Sequence, residues 1–190
     1  MRMNEKMVIG VAGMPGAGKA TLRSAAESIG LPVVIMGDEI RDETKRRGLE
    51  PTPENIGRVM LMLREEEGPA TVAKRCIPKI EALKSDIILV DGLRSLHEID
   101  EFRKHFGHFS LVAVHSSPEA RFQRLSKRKR SDDSKDWDEF YQRDLRELGV
   151  GQGSVIALAD YMIVNESSYD DFKAWTNETL AAVVKKWKKK

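Results

Sequence analysis

Gly13-Met14-Pro15-Gly16-Ala17-Gly18-Lys19-Ala20-Thr21 is the stretch that decides the fold. An apolar, strand-like run, Met7-Val8-Ile9-Gly10-Val11-Ala12, leads directly into it, and an Ala-rich, helix-like run, Leu22 to Ile29, follows. Strand, glycine loop with lysine, then helix is the context that a phosphate-binding P-loop requires. Glycines at 13, 16 and 18 let the backbone turn tightly and aim N–H groups inward. Those groups and the positive end of the following helix hold phosphate oxygens. Lys19 is placed to reach the β- and γ-phosphates of ATP. The general pattern has Ser or Thr directly after the lysine, as a contact for Mg²⁺. Here that position is Ala20, and the hydroxyl comes at Thr21.

Composition sets the frame for this motif. A chain of 190 residues suits one domain with a sizeable core, here residues 1–190. Hydrophobic content of 41% and charged content of 33% fit a globular protein in water. The net charge is +2, which implies no global pull toward nucleic acid or membrane. The single Cys76 excludes an intramolecular disulfide and suits a reducing cytosol, so a cytoplasmic location is expected. Its plainest role is that of a small buried apolar residue. No apolar run reaches the length of a membrane span, and the N-terminal residues do not read as a secretory signal.

Strand and helix signals alternate outward from the loop. Strand-like runs are Val8–Ala12, Pro32–Met36, Asp86–Val90, Phe109–His115 and Tyr161–Val164, nearly continuous in apolar character, as strands buried on both faces are. Ser95-Leu96-His97-Glu98 is a capping box opening a helix to about His105. Ser117-Pro118 and Thr52-Pro53 each give an N-cap followed by proline at the first helical position. Gly30, Gly48 and Gly107 stand where helices should stop. The alternation predicts an α/β fold, with a five-stranded parallel sheet covered by helices on both faces. Ligands bind at the carboxyl ends of such strands, so the segments after each strand should surround the site.

Asp91 closes the apolar run Ile87-Ile88-Leu89-Val90, the place of an acid that holds Mg²⁺ directly or through water. Thr21 is the other candidate ligand for the metal. Gly37-Asp38-Glu39-Ile40-Arg41 follows the second strand. Asp38 is placed to cap the next helix and to take the proton of a hydroxyl acceptor. If the acceptor is a phosphate, Arg41 and Arg94 would clamp it in fork geometry. Glu39 reads as a solvated first-turn acid.

Arg121 to Arg130 carries six cations and no acid, then Asp132 to Glu139 carries five acids and one lysine. The run follows the fourth strand and its helix, where a mobile lid would lie. Arg128 and Arg130 are candidates to fold over the triphosphate and stabilise transition-state charge, with Arg143 and Arg146 contributing from the next helix. Aromatic interleaving is absent from the run, which argues against a nucleic-acid surface. Phe172, Trp175, Leu180, Val183, Val184 and Trp187 form an apolar stripe at helical spacing, read as core packing.

Together these motifs resemble adenylate kinase and the wider nucleotide and dephospho-coenzyme A kinase group. Gly-x-Pro-Gly-x-Gly-Lys-small-Thr is the adenylate-kinase version of the loop, and Gly37-Asp38-x-x-Arg41 resembles that family's acceptor-nucleotide motif. Ala159-Asp160-Tyr161-Met162-Ile163-Val164-Asn165 is similar to the closing strand of dephospho-coenzyme A kinases. Over roughly residues 6–184 the chain looks most like an archaeal family of adenylate-kinase-related proteins of unassigned substrate. The resemblance implies a three-layer P-loop NTPase fold with strand order 2-3-1-4-5. It implies a mobile acceptor-binding region near 38–84, a short lid near 126–136, and Asn165 near the adenine. It departs from adenylate kinase at Asp91-Gly92-Leu93-Arg94, where the arginine comes one position early, and in the short lid.

The leading expectation is an ATP- and Mg²⁺-dependent kinase that transfers the γ-phosphoryl to a small nucleotide or nucleotide-like acceptor. Two alternatives are a nucleotide-dependent switch with little turnover and a kinase of nucleic-acid ends. The balanced charge argues against the second of these. The sequence leaves the acceptor, the choice of ATP over GTP and the oligomeric state open.

Overall fold

The computed structural model describes residues 4–128 and 136–188. Arg130 and most of the predicted lid, 126–136, lie outside those residues. Strands β1 (Asn4–Ala12), β2 (Val33–Ile35), β3 (Ile87–Asp91), β4 (Phe106–His115) and β5 (Tyr161–Val164) form one sheet. Its order is β2-β3-β1-β4-β5, and every neighbouring pair is parallel. The described helices are α1 (Lys19–Ser28), α2 (Met36–Arg46), α3 (Pro53–Glu67), α4 (Thr71–Ala82), α5 (Leu96–His105), α6 (Pro118–Arg128), α7 (Trp137–Val150), α8 (Gln152–Ala157) and α9 (Tyr169–Lys188).

Alternation along β1 divides the core. Met7, Ile9 and Val11 face Leu22 and Ala26 of α1 and Phe172, Leu180 and Val183 of α9. Val8 and Ala12 face the other way, toward Met36 of α2, Leu63 of α3, Ile80 of α4 and Phe102 of α5. Successive side chains on a strand point to opposite faces, so a fully apolar strand needs helices on both.

Local signals set several boundaries. Thr52 accepts from the amide of Asn55 at 3.2 Å, with Pro53 opening α3. Ser95 and Glu98 make the reciprocal capping box of α5. Gly30 and Gly48, at φ 78° and 71°, follow the ends of α1 and α2. Gly107 does not end a helix. It is the second residue of β4, because α5 runs into that strand without a loop. β4 therefore starts at Phe106, three residues before the predicted Phe109, and β3 runs one residue further, to include Asp91. Cys76 is fully buried, and burial pushes its thiol up to about 12.

Three further expectations are corrected. Trp175 is 45% exposed, because Thr176 takes the inward position and bonds its hydroxyl back to the Phe172 carbonyl at 2.7 Å. Glu39 is buried rather than solvated, and it pairs with Lys79 of α4. Asp38 is not a cap: α2 begins at Met36, with Ile35 at the N-cap position. α4 carries Pro78 inside it, on an exposed face where the carbonyl it strands is open to water.

Candidate functional site

The glycine loop joins β1 to α1 at the carboxyl end of the sheet. Gly18 takes φ 111° as the N-cap residue of α1, a left-handed conformation that favours glycine. A Cβ there would overlap the Asn165 amide, and one at Gly13 would overlap the Val114 carbonyl. Ala17 donates its amide to the Met14 carbonyl at 3.1 Å. The amides of Gly16, Gly18, Lys19 and Ala20 make no hydrogen bond among the described residues. Lys19 donates Nζ to the Gly13 carbonyl and, at 3.3 Å, to that of Met14. Burial lowers its pKa, and the nearby Asp91 carboxylate works against that fall. Pro15 and Thr21 are half-buried and Ala20 is exposed.

Residues far away in sequence hold the loop from outside. Asn165, at the end of β5, donates Nδ2 to the Ala17 carbonyl at 2.8 Å. Its amide is thus tied to the loop, whereas the family resemblance puts this residue near the adenine. Arg121 of α6 donates Nη1 to the Pro15 carbonyl at 3.2 Å. The same guanidinium grips both oxygens of Asp144 on α7, at 2.8 and 2.5 Å, over the ring of Phe140. Arg124 bridges the Asn165 carbonyl and the Ser116 hydroxyl, each at 2.7 Å. Glu166 accepts from the Ser117 amide and the Ser116 hydroxyl, and those bonds hold its carboxyl below the usual range.

The end of β3 faces the loop. Asp91 pairs in register with Val11 of β1 and Ile35 of β2. One of its oxygens, Oδ2, accepts from Arg23 Nη1 at 3.0 Å. The other, Oδ1, is buried and has no hydrogen-bond partner. Such an orphaned carboxylate oxygen fits a site for Mg²⁺, which keeps several waters and takes one or two carboxylates with phosphate oxygens. Among the described residues no cluster of three or more acidic, His or Cys side chains forms a full metal cage.

Arg94 comes next. Its amide donates to Glu98 Oε2 at 2.7 Å, and its Nε donates to Glu147 Oε2 at 2.7 Å. Burial pushes the Glu147 carboxyl up, but Arg94, then Lys19 and Arg143, more than reverse this and leave it lowered. Lys19, Pro15, Gly92, Arg94, Glu147 and Gln152 line a narrow cleft of about 30 Å³. This is far below the roughly 300–1,000 Å³ of a drug-sized site, so the cleft is too small for a whole nucleotide. A hollow of about 160 Å³ lies at the other end of the sheet, between His108 and Trp187, remote from the loop.

Asp38 and Arg41 sit in the first turns of α2 and pair with each other, each about half exposed. Neither lines the cleft. Arg128 is the exposed last residue of α6, and Arg143 is half-buried on α7. Arg23, Glu147 and Gln152 were not anticipated from the sequence. Arg23 stands four residues after Lys19, a helical spacing that signals the same face. Glu147 bears the same relation to Arg143, but only the fold brings it to Arg94.

A glycine loop between the central strand and its helix, with an acid ending the next strand, defines the P-loop kinase fold. An AAA domain model matches residues 12–142, and the chain belongs to that family and to the UPF0200 proteins. It is 52% identical to the UPF0200 protein of Hyperthermus butylicus over 176 residues, covering 93% of this chain and 94% of the relative. The UPF0200 protein of Pyrococcus furiosus is 50% identical over 181 residues, covering 93% and 97%. Among solved structures, TT1252 from Thermus thermophilus superposes with a TM-score of 0.65 at 16% identity, covering 94% of this chain and 98% of that one. A shikimate kinase from Acinetobacter baumannii in complex with shikimate gives 0.58 at 17%, covering 96% of each. A gluconokinase from Sinorhizobium meliloti gives 0.57 at 15%, covering 97% of each. These structural likenesses establish the fold. No helix among the described residues is long and apolar enough to cross a membrane.

Proposed function

We propose that the protein is an ATP-dependent small-molecule kinase that passes the γ-phosphoryl to a nucleotide or nucleotide-like acceptor. One observation carries this reading: the amides of Gly16, Gly18, Lys19 and Ala20 are unpaired beside the buried ammonium of Lys19. Four unpaired amide donors converging beside one cation suit a polyanion. Lys19 would leave the Gly13 carbonyl for the β- and γ-phosphate oxygens when the nucleotide enters. Mg²⁺, held by Asp91 and supported by Thr21, would supply charge neutralisation across the phosphates.

The acceptor oxygen attacks the γ-phosphorus, and the bond to the β–γ bridging oxygen breaks to give ADP. A hydroxyl acceptor would hand its proton to Asp38. A phosphate acceptor has none to lose and would be gripped by Arg41 and Arg94. Arg128, Arg130 and Arg143 are proposed to neutralise charge on the group in transit, with 126–136 as the lid and 38–84 as the acceptor region. Catalysis is then positioning and charge stabilisation, with no covalent enzyme intermediate.

The test is Lys19→Ala in a coupled ATP-consumption screen over nucleoside monophosphates, dephospho-coenzyme A and small alcohols. The wild-type chain should turn over at least one acceptor. Lys19→Ala should lose about 10²–10³-fold or more in turnover while its unfolding midpoint holds. Undiminished turnover by Lys19→Ala would refute the assignment.

A further inference from the structure

Two arginines near the loop are held by carboxylates in different ways. Asp144 takes both terminal nitrogens of Arg121, which leaves that guanidinium only its contacts to the Pro15 and Ser116 carbonyls. Glu147 takes only Nε of Arg94. Nη1 and Nη2 of Arg94 have no hydrogen-bond partner among the described residues, and Arg94 lines the cleft together with Lys19. A guanidinium gripped at Nε keeps its terminal fork open and fixed in direction. Planar forks of this kind read the oxygens of a phosphoryl group bidentately.

The backbone beneath the fork is fixed as well. The Arg94 amide is held by Glu98, and the carbonyl lies against Gly151, where an added Cβ would approach to 3.3 Å. Arg94 is therefore oriented from both ends, and the side-chain end depends on Glu147 alone. Glu147 stands in the last turn of α7, and Gln152 opens α8 in the same wall of the cleft.

We propose that Glu147 is a positioning residue that aims the free fork of Arg94 at the phosphoryl group passing over Lys19. The proposal rests on the kinase reading above and reassigns Arg94 within it, from the phosphate acceptor to the group in transit. The P-loop binds the nucleotide, and the Glu147–Arg94 pair recognises the group in transit. A carboxylate that merely plugged the cleft in place of phosphate would act with the opposite sign, since its removal would tighten anion binding.

Calorimetry with ADP and Mg²⁺, with and without aluminium fluoride as a stand-in for the phosphoryl group, separates these cases without a known acceptor. The full-length wild type should bind ADP more tightly when fluoride complexes are present. Glu147→Ala and Glu147→Asp should lose about tenfold to a hundredfold of that gain, as expected when a catalytic group is displaced by an ångström or so. Their affinity for ADP alone should match the wild type, which also reports an intact fold. Glu147→Gln, whose amide oxygen still accepts from Nε, should recover most of the gain. In an Arg94→Ala background, Glu147→Ala should change nothing further. A full gain in both Glu147→Ala and Glu147→Asp, tighter binding of ADP or inorganic phosphate by either, or additive losses in the double variant would overturn the proposal alone. Absence of the gain in the wild type would remove the kinase reading and this proposal with it.

Discussion

The two sides of the site are built by different physics. On the phosphate side, buried polar contacts fix the loop: Asn165 to Ala17, and Arg121 to both Pro15 and Asp144, with the Arg121 and Asp144 side chains only 4% and 10% exposed. On the side of α2–α4, an ion-pair web has a buried hub and an exposed rim, with Glu43 11% exposed and Glu66 and Glu67 48% and 43%. Glu43 gathers Arg46, Arg47 and Arg75, Arg47 reaches Glu66, and Arg75 reaches Glu67. Buried, hydrogen-bonded charges are costly to disturb, and exposed pairs are cheap and screened. The phosphate cradle is thus braced by buried pairs, and the rim of the α2–α4 web can be altered at small cost.

Arg121→Ala breaks this comparison on its strong side. It strands the Asp144 carboxylate in the interior and releases the Pro15 carbonyl. The expected loss is about 3–5 kcal/mol, the usual cost of leaving one member of a buried pair alone, read from chemical denaturation. Nucleotide affinity should fall with it. If the chain unfolds, Arg121→Met with Asp144→Leu replaces the pair by apolar volume. That variant should regain stability but not the anchor on Pro15, so ATP binding should stay weak.

Asn165→Ala is the next step down. It deletes the donor to a buried loop carbonyl, at an expected cost of about 1–3 kcal/mol. It also decides between the bond seen to Ala17 and a role at the base. If Asn165 acts by holding the loop, ATP, GTP and inorganic tripolyphosphate should weaken alike. If it acts at the adenine, the preference between ATP and GTP should shift while tripolyphosphate binding holds.

The loop on the strong side was legible in the sequence for a local reason, and the contacts that brace it were not. Gly13 to Thr21 carries its structure in neighbouring residues, as do the Ser95–Glu98 box and the Thr52-Pro53 cap. Asp91 was readable because an acid closes an apolar strand. What escaped detection depends on distant partners: Arg121 meets Asp144 twenty-three positions on, Arg94 meets Glu147 fifty-three on, and Asn165 reaches back to Ala17 across 148. No local pattern encodes such pairs. Glu39 was misread for the same reason, since only the packing of α4 onto α2 makes a first-turn acid into a buried ion pair with Lys79.

Arg75→Ala tests the weak side and has the smallest expected effect. The Arg75–Glu67 pair is partly exposed, at 23% and 43%, and Glu43 keeps Arg46 and Arg47, so the loss should cost only about 0.2–1 kcal/mol after solvent screening. The sign with pH is the same for both acids that Arg75 pairs with, Glu43 and Glu67, whose carboxyls are both held low, and Glu67 shows it. Arg75, then the Thr71 hydroxyl, hold its carboxyl at about 2 in the folded chain, and unfolding returns it to about 4.3. The folded state therefore binds fewer protons, and the pair's contribution is fully present above the unfolded value. It is lost as pH falls through 4 toward 2. The stability gap between wild type and Arg75→Ala should be constant from pH 7 to 5, shrink below that, and narrow further in high salt. A gap that instead stayed constant down to pH 2, or that matched the cost of Arg121→Ala, would mean that the α2–α4 web is bound into the fold as tightly as the cradle is.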